Sequence, residues 1–163
     1  MEGTKVKTAT SNVAAVTVTG ASGDKPDGSL KWNAIGSRIN SDAIYGVAYG
    51  GGRFVAVGAE GEMSWSTDGV AWTAVTDSGV FGESVIRGVA YGGDKFVAVG
   101  GTRKAGDSNK MAWSTDGITW TAVSNSTFGA YGINGATYGG DKFVVVGDKG
   151  KMRILRTEET VPR

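Results

Sequence analysis

The chain of 163 residues contains no cysteine and no histidine. The first absence excludes disulfides and thiolate metal sites and leaves the redox compartment open. The second removes the usual general base, the commonest metal ligand and the Ser-His and Cys-His nucleophile pairs. Charge of one sign is also missing. Basic and acidic residues number 17 and 16, a formal net charge of +1, so no electrostatic footprint for nucleic acid or an anionic membrane exists. No apolar run approaches the roughly 18 to 20 residues needed to span a bilayer. The start, Met1-Glu2-Gly3-Thr4-Lys5, lacks the apolar centre of a secretion leader. The protein is therefore cytoplasmic or its leader has been removed; a secreted or surface-borne bacterial or phage-associated protein is the expectation. No helical periodicity is found, and the chain reads as all-β.

Glycine, by contrast, is abundant, and its 28 copies recur at fixed places. Gly46-Val47-Ala48-Tyr49-Gly50-Gly51-Gly52-Arg53-Phe54-Val55-Ala56-Val57-Gly58 returns from Gly88 to Gly100 and again from Gly135 to Gly147. The matched residues Phe54, Phe96 and Phe143 stand 42 and then 47 residues apart. A period in that range marks repeated supersecondary units that bury their faces only against one another. Four short strands are predicted in the first copy: Ile44 to Gly50, Arg53 to Gly58, Glu62 to Ser66 and Ala71 to Val75. Phe54-Val55-Ala56-Val57 is apolar on both alternating faces, which suits a strand buried on both sides. Gly50-Gly51-Gly52, or Gly-Gly-Asp in the later copies, is a hairpin signal.

Each of the first two copies continues with a second motif. Ser66-Thr67-Asp68-Gly69-Val70-Ala71-Trp72-Thr73 recurs as Ser114-Thr115-Asp116-Gly117-Ile118-Thr119-Trp120-Thr121. The carboxylate accepts backbone N–H bonds and the glycine supplies the difficult dihedral of a turn. This string resembles the Asp-box, or BNR repeat, of sialidase-like β-propellers, with one residue fewer between Asp and Gly. The resemblance covers about residues 27–155 and implies the turn between the third and fourth strands of a propeller blade. On that basis Ser66, Asp68, Gly69, Trp72, Ser114, Asp116, Gly117 and Trp120 are structural residues.

The third copy stops at Leu155 without this motif, while Asp27-Gly28-Ser29-Leu30-Lys31-Trp32 stands before the first. The fold expected is all-β: three four-stranded blades, the amino-terminal strand completing the last one so that no sheet edge stays open. Residues 1–26 are read as a lead segment or edge strand, 27–155 as the three-blade unit and 156–163 as a polar tail. Propellers close with roughly four to eight blades, so the expected assembly is a six-bladed homodimer. The alternative is a β-prism-like three-sheet monomer.

The first-to-second and third-to-fourth turns hardly vary between copies. The second-to-third loops do: Ala59-Glu60-Gly61-Glu62, then Gly101-Thr102-Arg103-Lys104 onward, then Asp148-Lys149-Gly150-Lys151. Variation on one rim of a constant scaffold is where binding usually lives. Tyr45, Arg87 and Asn134 vary inside an otherwise fixed first strand, and with Glu60, Arg103 and Lys104 they are the candidate ligand-binding residues. Trp65 and Trp113 share their face with Met63 and Met111, and Ile154 replaces them in the third copy, which favours packing over sugar stacking. A sialidase needs a matched arginine triad. Only Arg87 falls on a first strand, and nothing in the spacing of Glu60, Glu62, Glu83 and Asp107 singles out a glycosidase pair. No catalytic residue, metal ligand or cofactor is expected. The function expected is a non-catalytic binding or interaction module, with a glycan on the variable rim as the first ligand class; the alternatives are a structural or assembly module contacting another protein and a glycoside hydrolase.

Overall fold

The computed structural model describes residues 34, 43–76, 79–101, 110–124, 128–129 and 131–156. The expected closing strand within 27–36, the lead segment 1–26 and the tail beyond Arg156 lie outside these residues, Ala34 apart. Three antiparallel meanders follow one another. The first sheet holds β1 (Ile44–Gly50), β2 (Arg53–Gly58), β3 (Met63–Ser66) and β4 (Thr73–Ala74) in that order. The second holds β5 (Ile86–Gly92), β6 (Lys95–Gly100), β7 (Lys110–Ser114) and β8 (Thr121–Ala122). The third, among the described residues, has β9 (Ile133–Gly139), β10 (Lys142–Gly147) and β11 (Met152–Arg156), with β10 in the middle.

The first two strands of each copy turn through a two-residue loop whose central residues both take positive φ: Gly51 and Gly52 at 54° and 76°, Gly93 and Asp94 at 52° and 58°, Gly140 and Asp141 at 54° and 58°. That is the type I′ hairpin, whose twist matches the strands it joins. Its register sets Tyr49 opposite Phe54, Tyr91 opposite Phe96 and Tyr138 opposite Phe143, with ring centroids 4.5, 4.6 and 4.8 Å apart. The third and fourth strands are shorter than expected, Met63–Ser66 and Thr73–Ala74. The Asp68 carboxylate accepts from the Val70 and Ala71 N–H groups at 2.8 and 2.9 Å, so those residues belong to the turn; Thr73 and Ala74 pair with β3, and the Val75 N–H still donates to the Met63 carbonyl at 2.9 Å.

The sheets stack face to face, with β1 against β5 and β5 against β9. Glycine permits this close approach: a Cβ on Gly46 would stand 3.3 Å from the Gly88 Cα, and one on Gly88 would stand 3.3 Å from the Gly135 Cα. Two separate cores result. Val55, Val57, Met63 and Trp65 of the first sheet meet Ile86, Val89, Phe96 and Trp120. Val97, Val99, Met111 and Trp113 of the second meet Ile133, Phe143 and Val145. A prism would wrap three sheets around one shared core. Here the middle sheet is covered on both faces, so the prism alternative is not what the chain adopts.

Candidate functional site

The two rims of this stack are built differently. On one rim lie the Ser-x-Asp-Gly turns. Ser66 Oγ donates to Asp68 Oδ1 at 2.9 Å and accepts from the Gly69 N–H at 2.9 Å; Ser114 repeats both bonds with Asp116 and Gly117 at 2.9 and 2.8 Å. The Val70 and Ala71 N–H groups and the Ser66 hydroxyl hold the Asp68 carboxyl below its ordinary pKa of 3.8. At Asp116 burial opposes the charge, but the Thr119 and Ile118 N–H groups and the Ser114 hydroxyl outweigh it, and its pKa is also lowered. The Trp72 Nε1 donates to the Gly69 carbonyl at 3.1 Å, and Trp120 is buried. Arg53, from the first hairpin, donates to the Asp116 carbonyl at 2.7 Å and lies over the Trp65 ring, tying this rim of the first sheet to that of the second. Apart from the Trp120 Nε1, which is buried with no hydrogen-bond partner among the described residues, these polar groups serve the turns and each other.

The opposite rim carries the variable residues. After β2 and β10 the chain makes the same short 3-10 turn, Ala59–Gly61 and Asp148–Gly150, with Glu60 and Lys149 both at positive φ, 53° and 57°. Identical backbone therefore displays Glu60 and Glu62 in one copy and Lys149 and Lys151 in the other. These turns are pinned to the connections between sheets: the N–H groups of Ala59, Gly101 and Asp148 donate to the carbonyls of Ala43, Val85 and Gly132. The Lys151 ammonium donates to the Phe128 carbonyl at 3.3 Å and stands 4.4 Å from the Tyr131 ring centre.

Tyr45, Arg87 and Asn134 prove to be bulge residues. In each hairpin the pairing skips one first-strand position, between Ile44 and Gly46, Ile86 and Gly88, and Ile133 and Gly135. A bulge residue is freed from the ladder and re-aimed. Each adjoins one of the stacked glycines 46, 88 and 135, so the three form a row across the sheets. Tyr45 is exposed, and the Asn134 amide donates to Asp148 Oδ1 at 2.9 Å. Arg87 is half-buried, and its Nε has no hydrogen-bonding partner among the described residues. Glu60 is exposed on the same rim, and Glu62 Oε2 is likewise buried without a partner. Arg103 and Lys104 lie outside the described residues. Sequence reasoning placed Asp148 and Lys151 in a variable rim loop but not among the candidate binding residues, and passed over Tyr131; the charge reversal from Glu62 to Lys151 was the signal for Lys151. A cavity of about 110 Å³, lined by Glu62, Met63, Ser64, Ala74 and Val75, sits on the outer strands of the first sheet instead of the first strands. Among the described residues no group of three or more carboxylates could hold a metal ion, and no helix is long and apolar enough to cross a membrane.

No protein-family profile matches the chain, and no curated protein does. Among solved structures it is similar to a β-propeller protein, YCF48 bound to D1 peptide, with a TM-score of 0.56, 15% identity, and coverage of 77% of this chain and 40% of that one. The chain thus spans about two fifths of that protein's length, and the likeness establishes a β-propeller-like fold. A GH32 β-fructofuranosidase of Bombyx mori in complex with sucrose matches more distantly, with a TM-score of 0.42, 14% identity and coverage of 69% of this chain and 31% of that one.

Proposed function

We propose that this chain is a non-catalytic binding module, related to Asp-box propellers, that takes an extended ligand along the variable rim. In this reading the working unit is a homodimer whose six sheets close one ring. The observation that carries the ligand reading is the row of bulge residues, and Arg87 above all. Nature has placed three different side chains, Tyr45, Arg87 and Asn134, at one structural position of an otherwise repeated strand. A half-buried guanidinium nitrogen without an acceptor costs about 1–3 kcal/mol, a penalty that a ligand carbonyl or carboxylate arriving at Arg87 Nε would relieve. An extended peptide offers such groups at regular spacing, and the YCF48 structure holds a peptide. A glycan stacked on exposed Tyr45 is the second reading.

The test is to probe a peptide array and a glycan array with the same labelled protein. Retention on peptides, weakened about tenfold or more by Arg87→Ala and less by Tyr45→Ala, supports the peptide reading. Retention on glycans alone, sensitive to Tyr45→Ala, transfers the site to sugar. Silence on both arrays overturns the binding reading.

A further inference from the structure

The contact between sheets is used twice inside the chain, and each use has two halves. The leading half comes from the first two strands of a sheet and faces the sheet before it; Ile86 and Val89 supply it in the first core, Ile133 in the second. The trailing half comes from the second and third strands and faces the sheet after it; Val57 and Met63 supply it first, Val99 and Met111 next. Among the described residues the first sheet has its own leading half with nothing against it: Ile44, Val47 and Tyr49 are 47%, 60% and 59% exposed, where Ile86, Val89 and Ile133 are 0%, 9% and 0%. The third sheet has a trailing half in the same condition: Val146, Met152 and Ile154 are 38%, 60% and 58% exposed, whereas Val99 and Met111 are 0% and 4%.

The glycines make the match specific. At the end of each first strand a glycine leaves a notch, and the tyrosine of the next sheet fills it. The Tyr91 ring lies where a Gly50 side chain would stand, and the Tyr138 ring where a Gly92 side chain would stand. A Cβ at Gly139, the third such position, would meet nothing within 4 Å among the described residues. Gly135 likewise meets only Val146 of its own sheet, where Gly46 and Gly88 each meet the glycine of the following sheet. Among the described residues the third sheet thus leaves an empty notch and the first sheet an unseated tyrosine. Each apolar face is the half that the other lacks.

We propose that a second copy of this chain docks its first sheet on the third sheet of this one, tail to head. Tyr49 of the second copy then fills the notch at Gly139, its Gly46 lies against Gly135, and its Val47 and Ile44 cover Val146, Met152 and Ile154. Such a joint is heterologous, so two copies either form it twice and close or form it once and leave faces open to further copies. The closed pair is the form proposed, because it covers both faces of both copies. Ring order then sets the rim turn bearing Lys149 and Lys151 beside the one bearing Glu60 and Glu62, opposite charges on one rim. The joint rests on the two-copy ring, and it is independent of what the rim binds.

Light scattering on a sizing column, with the full chain, tests it. The wild type is expected at twice 16.7 kDa. Tyr49→Asp and Gly139→Trp are each expected to run as monomers with unchanged circular dichroism, since a Cβ at Gly139 would meet nothing within 4 Å among the described residues of its own copy. Val47→Asp replaces Tyr49→Asp if that variant fails to fold. An equimolar mixture of the two variants is expected to pair again through one joint, because one keeps an intact first sheet and the other an intact third. A wild-type monomer at all concentrations overturns both the ring and the joint, with residues 1–33 or a different protein then left as occupant. A pair that survives both substitutions keeps two copies but overturns the joint. A mixture that stays monomeric overturns the tail-to-head arrangement. Masses climbing beyond two copies with concentration support the joint and overturn the closed ring.

Discussion

The middle sheet and the third sheet are spelled in nearly the same residues and stand in different surroundings. Met111 of β7 and Met152 of β11 hold the same ladder position, opposite Val99 and Val146. One is buried beneath Phe128, Ile133 and Phe143, the other is exposed. The same holds for Gly92 and Gly139, one filled by Tyr138 and the other open. Among the described residues another sheet follows the middle one and none follows the third. Burial in a stacked repeat is a property of the neighbour and not of the unit.

The largest effect that sharpens this comparison is truncation at the matched methionines. Met111→Ala is expected to cost about 2–5 kcal/mol of folding stability, through lost burial and a cavity between two sheets. Met152→Ala is expected to leave unfolding of the separated monomer within about 0.5 kcal/mol of wild type and to weaken pairing instead. Urea denaturation at low protein concentration, followed by sizing at high concentration, separates the two effects. Equal losses of monomer stability would mean that Met152 is buried within its own copy, and the comparison would break.

Much of this arrangement could be read before any coordinates. The glycines that frame the repeat mark the bounds of the first two strands to the residue, Ile44–Gly50 and Arg53–Gly58, because both are anchored at a type I′ turn with no freedom to slip. Trp65 and Trp113 pack between sheets as their pairing with methionine implied. The fourth strands were overrun, since hydrophobic alternation does not report that the Asp68 carboxylate captures two N–H groups of the segment. The bulges were invisible as bulges. Their trace was a single variable residue between an invariant Ile and an invariant Gly, read as variation alone. Exposure of the end faces was beyond the sequence, because Tyr49 and Tyr91, or Met111 and Met152, are the same letters in the same frame.

A smaller effect compares the two Ser-x-Asp-Gly turns. Both carboxyls are held below their ordinary value of 3.8 when folded, so they add stability at neutral pH that is lost as pH falls through the folded values. Asp116, packed closer to the core of the middle sheet, is expected to matter more: Asp116→Ala should cost about 1 kcal/mol, as capping carboxylates do, and Asp68→Ala less. Urea midpoints measured from neutral pH down to strongly acid pH should fall below about pH 4 in the wild type, with a shallower fall in Asp116→Ala. A wild-type midpoint flat down to acid pH would remove the ionised turns from the account.

The smallest effect concerns the hairpins, where three copies already contain the experiment. The second turn residue is Gly52 in the first copy and Asp94 or Asp141 in the others, and all three take positive φ, 76° and 58° and 58°. Aspartate tolerates this region better than other side chains but still carries some strain, which glycine lacks. Glycine in turn loses more backbone freedom on folding. The two costs oppose each other, so Asp141→Gly is expected to shift stability by no more than about 0.5 kcal/mol. Asp141→Val, branched at Cβ where the region is crowded, is expected to destabilise clearly more. Because this hairpin belongs to the sheet with the open face, the pair of variants also reads how independently that sheet folds. If Asp141→Val leaves the urea transition of the whole chain unmoved while exposing β9 and β10 to proteolysis, the third sheet melts by itself and its stacking on the middle sheet is weaker than the second core indicates.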